Sequence, residues 1–317
     1  MSKVMNNMDQ RRLPYLLLVA ALLLGFAAQS NAAAQTRDRT QIKTLTLGLI
    51  SETHRREIEE HFRDFARYVA RKLSSEQEIE GRVVTAPTPF ELAKLLEQRR
   101  VDFFMESAYP TYVINVVHGQ GKLLLRRWKG GMADYYSLIF TKRNGGIKHL
   151  EDLKGKTIVF EDAGSTSGYL LPKLFLLRRG LKLKEKRGFS ADSEPTDVGY
   201  VFVYTQQKLI DWVLTQQAAA GAFSNDDHAA LEETRKADIA VLAQTERLPR
   251  HLVSVRGDLA PALVSRLETI LLAMHEDAEG RKILQRADST TKFDMLPGGE
   301  AVMRRRLLDS FFSPDKK

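Results

Sequence analysis

The sequence predicts an α/β protein of two lobes, with the second lobe inserted into the first. Strand-like and helix-like patterns alternate along the chain, which is typical of mixed, mostly parallel sheets flanked by helices. The alternation starts anew near Thr157, and no long Pro/Gly/Ser linker or internal repeat separates the two series. We therefore expect lobe I at residues 41–134 and 245–317, lobe II at 135–244, and short hinge strands between them.

The first series of elements ends its strands at polar tips. Residues 44–50 form a strand pattern that ends at Ser51-Glu52-Thr53, and apolar residues then recur at helical spacing. Residues 101–105 form another, ending at Glu106-Ser107-Ala108-Tyr109. Further elements are expected as a strand at 81–84, a helix capped by Thr88, a helix at 113–117 and a strand at 122–125.

The second series repeats this alternation. A strand at 157–160 leads into a helix pattern that ends at Gly180, a residue suited to a left-handed cap. Pro172 lies inside that helix pattern, where it is expected to cause a kink unless it falls in the first turn. Further strands are expected at 135–141, 200–204, 218–223, 237–243 and 252–255, and the rest of the chain is expected to be largely helical.

The N-terminal residues resemble a secretory leader. Lys3, Arg11 and Arg12 precede an apolar run from Leu16 to Ala28, and small residues up to Ala34 fit a signal-peptidase site. The run is shorter than the ~20 residues that span a bilayer, so a cleaved signal peptide at 1–34 is favoured over a retained anchor. Without cysteine, the chain has no lipid-modified Cys, disulfide or thiol chemistry. We expect a free periplasmic protein.

Charge argues for small anions rather than nucleic acid. Removal of residues 1–34 lowers the formal net charge from +8 to +6, so the mature chain remains basic. Its lysines and arginines are scattered rather than interleaved with exposed aromatic residues, which disfavours a nucleic-acid partner. A positive field does favour capture of anionic small molecules.

A hydroxyl-rich segment between strand and helix is the clearest motif. Ser165, Thr166, Ser167 and Gly168 follow the strand at 157–160 and open an apolar helix pattern. Backbone N–H groups of a first helical turn, together with hydroxyls, can hold an oxyanion. The alternative is that one hydroxyl simply caps the helix.

Three further strand tips are expected to join this segment, because ligands of open α/β sheets bind beyond the carboxyl ends of strands. Each tip taken singly is also explained by helix capping. With the aromatic residues expected near the cleft, the candidate ligand-binding residues are Ser51, Glu52, Glu106, Ser107, Tyr109, Tyr136, Ser165, Thr166, Ser167, Gly168, Ser224, Asn225 and Asp226.

The segment Phe160 to Pro172, with Leu150 to Lys156 before it and Gly221 to Asn225 after it, resembles the phosphate-, phosphite- and phosphonate-binding periplasmic components of ABC transporters. This resemblance covers nearly all of the mature chain. It implies a type II periplasmic-binding-protein fold that clamps its ligand on closure. It also implies that Ser165 to Gly168 hold the oxyanion from lobe II, and that Tyr109 lies on the lobe I side.

Two carboxylates depart from that pattern. Glu106 stands at a strand tip where many relatives have a small uncharged residue, and a carboxylate there would repel a dianionic ligand. Glu52 places a second carboxylate at the first tip, where the same repulsion would arise. Glu106 has three possible roles: a salt bridge to an arginine, acceptance of a hydrogen from a protonated oxyanion, or pairing with an ammonium group on the ligand. Together the two residues suggest a zwitterionic or protonated ligand.

The sequence gives no sign of catalysis. The seven histidines show no metal-binding spacing, and there is no Walker or dinucleotide motif, so we expect neither enzyme activity nor a metal or cofactor. The expected function is capture of a phosphate-like oxyanion by a monomer that delivers it to inner-membrane ABC permease subunits. The alternative is a periplasmic sensor that presents its closed form to a membrane sensor kinase.

Overall fold

The computed structural model describes residues 42–74, 77–188 and 193–312. The signal peptide expected at 1–34 lies outside the described residues. Strands and helices are numbered in chain order, and most strands belong to two six-stranded sheets.

Sheet A has the strand order β14-β4-β13-β3-β1-β2. Its strands are β1 (Thr44–Ile50), β2 (Glu80–Ala86), β3 (Phe103–Glu106), β4 (Gly121–Lys129), β13 (His251–Arg256) and β14 (Thr290–Met295). Strand β1 pairs in parallel with β2 and β3, whereas β13 is antiparallel to β3 and β4, and β14 is antiparallel to β4.

Sheet B has the order β11-β6-β10-β7-β9-β8. Its strands are β6 (Ser137–Lys142), β7 (Thr157–Phe160), β8 (Lys182–Glu185), β9 (Asp197–Phe202), β10 (Ala220–Ser224) and β11 (Ile239–Gln244). Strands β7, β8, β9 and β10 pair in parallel with their neighbours in this group, while β6 is antiparallel to β10 and β11. The chain passes between the sheets at β5 (Asp134–Tyr135) and β12 (Leu248–Pro249), which pair with each other.

Helices flank both sheets. They are α1 (Arg55–Leu73), α2 (Pro89–Glu97), α3 (Ala108–Tyr112), α4 (Leu171–Arg178), α5 (Gln206–Leu214), α6 (Asn225–Ala230), α7 (Glu233–Ala237), α8 (Pro261–Ala273), α9 (Ala278–Arg286) and α10 (Gly299–Phe312). Wider π-helical turns extend two of them, at Val113–Val117 after α3 and at Thr166–Leu170 before α4, and Leu150–Leu153 is a 3₁₀ helix. No helix within the described ranges is long and apolar enough to cross a membrane.

Apolar packing joins the last helix to both sheets. Leu307 of α10 shares a buried cluster with Tyr112 of α3 and with Leu171 at the start of α4. Arg178 at the end of α4 donates to the backbone oxygen of Ser310 at 2.7 Å. Helix α3 follows strand β3 of sheet A, and helix α4 follows strand β7 of sheet B. Helix α10 therefore contacts helices that belong to both sheets.

The element pattern confirms most of the predicted alternation and corrects part of it. Residues 290–295 form the edge strand β14, so the expectation that the C-terminal part is largely helical was wrong there. Its pairing with β4 is a long-range contact that local periodicity does not report. Strand β8 was also missed. Pro172 is the second residue of α4, directly after the π-helical turn, and so lies inside one continuous helical stretch. The backbone oxygens of Ser167 and Gly168, which an N–H at this position would otherwise reach, accept hydrogen bonds from Ser137 Oγ and from the Glu161 N–H instead.

Candidate functional site

A cleft of about 610 Å³ opens where strand ends of the two sheets face each other. Residues that follow β1 and β2, and one in α3, line it from the side of sheet A: Ile50, Ser51, Glu52, Thr53, His54, Pro87, Thr88, Pro89 and Tyr109. Residues that follow β7 and β9 line it from the side of sheet B: Glu161, Asp162, Ala163, Gly164, Tyr204 and Thr205. The lining thus carries three carboxyl groups, those of Glu52, Glu161 and Asp162.

The hydroxyl-rich segment directly follows Gly164, which lines the sheet B side of this cleft, but none of the residues from Ser165 to Gly168 is itself part of the lining. Ser165 caps the helical turn, because its Oγ accepts a hydrogen bond from the Gly168 N–H at 3.0 Å. The same Oγ donates to Glu161 Oε2 at 2.9 Å. Ser167 is buried, and its backbone oxygen accepts a hydrogen bond from Ser137 Oγ at 2.6 Å. Helix capping and a hydroxyl cluster are thus combined in one segment.

Thr166 connects the segment after strand β7 of sheet B to the segment after strand β3 of sheet A. Its Oγ1 lies 2.9 Å from Ser107 Oγ and accepts a hydrogen bond from the Tyr109 N–H, also at 2.9 Å. The Tyr135 hydroxyl lies beside Thr166 and Ser167, and burial raises its pKa. These contacts place Thr166 beside two other predicted site residues, Ser107 and Tyr109, which lie 59 and 57 positions before it in the chain.

Two carboxyl groups follow β7 directly and face the cleft. Burial and, secondly, the neighbouring Asp162 raise the pKa of Glu161 to about 7. Burial also raises the pKa of Asp162, and repulsion from Glu52 adds to this effect. Asp162 is fixed by its Oδ1, which accepts a hydrogen bond from the Gly164 N–H at 2.8 Å. The environment of this wall therefore favours the protonated form of both carboxyl groups.

Glu106 is held by the main chain of sheet A. Its Oε1 accepts a hydrogen bond from the Ile50 N–H at 2.6 Å. Burial raises the pKa of Glu106 to about 8, although this hydrogen bond and the positive charge of Arg127 oppose that rise. Its direct partner is thus a backbone N–H and not the arginine that one sequence interpretation expected.

The fourth predicted tip is engaged in internal contacts. Ser224 caps α6 and forms a capping box with Asp227. Asn225 Oδ1 accepts a hydrogen bond from the Tyr136 N–H at 2.9 Å. Asp226 forms an ion pair with Arg250, with 2.9 Å between Oδ2 and Nη2. None of these residues is part of the cleft lining described above. Capping, which sequence analysis kept as the alternative, accounts for Ser224.

The remaining predicted residues divide between cleft and core. Ser51, Glu52 and Tyr109 line the cleft. Tyr136 instead packs against the apolar cluster of sheet B, and the Arg247 guanidinium lies 4.8 Å from its ring centre. Sequence analysis did not select several other lining residues, namely His54, Thr88, Glu161, Asp162, Tyr204 and Thr205.

The ends of the predicted strands were the sequence signal from which these missed residues could have been found. Glu161 directly follows β7, and Tyr204 lies two residues after the end of β9. Tyr204 is 54% exposed and adopts a left-handed backbone with φ of 63°, which is unusual for an aromatic residue. No cluster of three or more His, Asp or Glu side chains suited to a metal ion occurs in the part of the chain that the structure describes.

Comparisons with known proteins agree with this architecture. XAC2383 from Xanthomonas citri is 29% identical over 84% of this chain; it matches with a TM-score of 0.78 in a structure bound to chloride ion, covering 96% of that chain, and 0.75 in one bound to ATP, covering 95%. PhnD1 from Prochlorococcus marinus (MIT 9301), in complex with methylphosphonate, matches with a TM-score of 0.62 and 14% identity over 84% of this chain and 97% of that chain. At that identity the likeness concerns the fold alone.

A second phosphonate-transport component has a similar fold. It is PA3383 from Pseudomonas aeruginosa, a binding protein component of an ABC phosphonate transporter, with a TM-score of 0.58 and 16% identity over 86% of this chain and 96% of that chain. These likenesses confirm the type II periplasmic-binding-protein fold.

The family itself follows from a family model that matches residues 47–296, which is most of the chain. That family is described as the periplasmic substrate-binding protein of phosphonate ABC transporters, and its members are binding components, not enzymes. This chain therefore belongs to the phosphonate-binding family of periplasmic substrate-binding proteins of ABC transporters.

Proposed function

We propose that this protein captures a phosphate-like oxyanion, namely a phosphonate, phosphite or phosphate, in the cleft between sheets A and B. The observation that carries the proposal is the direct contact of Ser107 and Tyr109, which follow strand β3 of sheet A, with Thr166, which follows strand β7 of sheet B, at 2.9 Å in both contacts. Hydroxyl and backbone N–H groups donate hydrogen bonds to anions without bringing a charge of their own. The family match supports the same class of ligand.

The two sheets are proposed to belong to two lobes, residues 41–134 with 245–317 and residues 135–244, which close around the ligand. The paired strands β5 and β12 lie where the chain passes between the sheets, as hinge strands would. The contacts of Thr166 with Ser107 and Tyr109 would break on opening. A bound anion supplies new acceptors to both sides and thereby favours the closed arrangement.

Delivery is proposed to an ABC permease, by a monomer whose residues 1–34 are removed on export to the periplasm. Transport is favoured over presentation to a sensor kinase because the family is one of ABC transport components. Mass spectrometry of protein from a periplasmic extract is expected to find a chain that starts at Gln35 and carries no lipid. A full-length chain retained in the membrane fraction would contradict this part of the proposal.

The ligand class is tested by calorimetric titration of the ligand-free mature protein. The panel contains phosphate, phosphite, methylphosphonate, 2-aminoethylphosphonate and sulfate, and also ATP, because one structure of XAC2383 is bound to ATP. We expect micromolar or tighter binding of at least one phosphorus oxyanion. Absence of binding by every phosphorus compound would overturn the proposal.

Replacement of Ser165 by alanine is expected to weaken the tightest of these interactions about tenfold, which is the effect of losing one hydrogen bond to a charged ligand. Ser265→Ala is the matched control, since Ser265 is an exposed serine of helix α8 outside the cleft lining. Both variants are titrated at one pH and their unfolding is followed by circular dichroism. Equal affinities of the two variants would remove Ser165 from the site.

A further inference from the structure

Glu161 places an acidic oxygen where the proposed anion site is expected to be. Its Oε2 accepts the hydrogen bond from Ser165 Oγ at 2.9 Å. A Cβ atom built on Gly168 would come within 2.7 Å of the same oxygen, so the carboxyl group lies directly against the hydroxyl-rich segment. Glu161 also lines the cleft, beside Asp162. A bound oxyanion that contacts Ser165 therefore also meets Glu161.

Two acceptors cannot face each other without a proton. An ionised carboxyl group offers acceptors only, and so does a fully ionised tetrahedral anion such as sulfate. A hydrogen phosphate or hydrogen phosphonate carries its own O–H and can donate it to Glu161. A fully ionised anion can bind only when Glu161 itself carries the proton.

We propose that Glu161 makes this site bind an oxyanion together with one proton, which is held between Glu161 and the anion. The inference rests on the proposed function and refines it, because it selects protonatable phosphorus oxyanions over sulfate at alkaline pH. At pH values above the pKa of Glu161, binding of a fully ionised anion takes up one proton from solvent. Binding of an anion that already has an O–H does not.

The surroundings of Glu161 fit this role. Burial raises its pKa to about 7, and the charges of Asp162 and Asp227 add to the rise. The Ser165 hydroxyl and the positive charge of Arg250 act in the opposite direction. Glu52 lines the opposite wall and raises the pKa of Asp162. Two carboxyl groups, those of Asp162 and Asp227, against one guanidinium favour retention of a proton on Glu161.

Sulfate is the diagnostic probe because it stays fully ionised between about pH 5 and pH 9. We expect wild-type affinity for sulfate to fall about tenfold per pH unit above the pKa of Glu161, with one proton taken up. The proton shows as a difference between calorimetric heats in two buffers of different ionisation enthalpy. Phosphate is expected to bind more tightly than sulfate at about pH 8.5, where sulfate cannot supply the proton.

Glu161→Gln keeps the shape of the side chain and supplies an N–H donor in place of the proton. This variant is expected to bind sulfate with no pH slope and, at the alkaline end, more tightly than wild type does. Glu161→Ala is the second variant and is likewise expected to lose the slope. His54→Gln is the control, since His54 lines the same cleft; it should retain the slope.

The outcomes separate this inference from the function on which it rests. Binding of phosphate or methylphosphonate with a pH-independent sulfate affinity, or an unchanged slope in Glu161→Gln, overturns the role of Glu161 alone. Loss of the slope in His54→Gln assigns the proton to His54 and also overturns it. If wild type and variants bind no anion of the panel, the proposed function and this inference both fail.

Discussion

Replacing Gly168 by alanine is expected to lower the affinity for the captured anion about 100-fold. The added Cβ would lie 2.7 Å from Glu161 Oε2, 2.8 Å from Glu161 Cβ and 2.8 Å from Ser165 Oγ. The carboxyl group of Glu161 can rotate away from the new methyl group. Its Cβ cannot, because Glu161 directly follows strand β7 and its backbone is held there. The extra methyl group therefore displaces Ser165 or shifts the helical turn.

Both responses damage the anion site. Moving Ser165 Oγ breaks the 3.0 Å hydrogen bond from the Gly168 N–H and misplaces the hydroxyl. Overpacking of this kind costs about 1–3 kcal/mol, and the upper end of that range corresponds to about a 100-fold change in affinity. Strain that is borne mainly by the binding-competent arrangement appears as lost affinity rather than as lost stability.

Titration of Gly168→Ala with the tightest ligand of the panel measures this effect, with Gly257→Ala as the control. A Cβ on Gly257 would meet only the Gln120 backbone oxygen, at 3.8 Å, which is an ordinary contact. The control is expected to keep wild-type affinity. Wild-type affinity in Gly168→Ala would show that the anion binds elsewhere in the cleft.

The sequence predicted the architecture because local patterns determine it. The hydroxyl-rich segment follows a buried strand, and small hydroxyl residues flanked by glycines have few other uses in that position. Strand β14 was missed because its residues gain their strand character from pairing with β4, not from an apolar pattern. Local residue patterns therefore predicted the polar ends of strands better than they predicted the edge strands of the sheets.

The partners of polar side chains could not be predicted, because they depend on distant residues. The contact that occupies Asn225 comes from the backbone of Tyr136, 89 residues away in the chain. Glu106 finds its partner in Ile50, across 56 residues. Glu161 carries no sequence signal of its own beyond following a strand, and its importance arises from its distance to Ser165. Sequence analysis therefore identified candidates, and tertiary packing divides them between cleft and core.

Arg127→Met is expected to lower the free energy of unfolding by about 3–5 kcal/mol, which is the usual effect of breaking a buried ion pair from one side. The Arg127 side chain is 2% exposed and lies 3.0 Å from Asp288 Oδ2. Its Nε also donates to Thr290 Oγ1 at 2.7 Å, and its Nη2 to the backbone oxygen of Ala287 at 3.2 Å. Methionine fills similar space but satisfies none of these acceptors.

Asp288 determines how large the loss is. Its side chain is 36% exposed, and Lys129 lies 2.8 Å from its Oδ1, so water and a second cation compensate part of the loss. We therefore expect a value near the lower end of the range. Adding Asp288→Asn to Arg127→Met removes the carboxylate that has lost one of its two cations and is expected to restore part of the stability. Urea unfolding of wild type and of the single and double variants measures both effects.

The pH dependence distinguishes the ion pair from simple loss of packing. Arg127 and Lys129 hold the pKa of Asp288 below its usual value, although burial opposes them. A carboxyl group with a lowered pKa in the folded state stabilises the fold above its unfolded pKa, and this contribution is lost as pH falls through the folded pKa. The stability difference between wild type and Arg127→Met should therefore narrow as pH falls below about 4. A difference that stays constant down to that acid range would attribute the effect of Arg127 to packing and to its backbone hydrogen bonds.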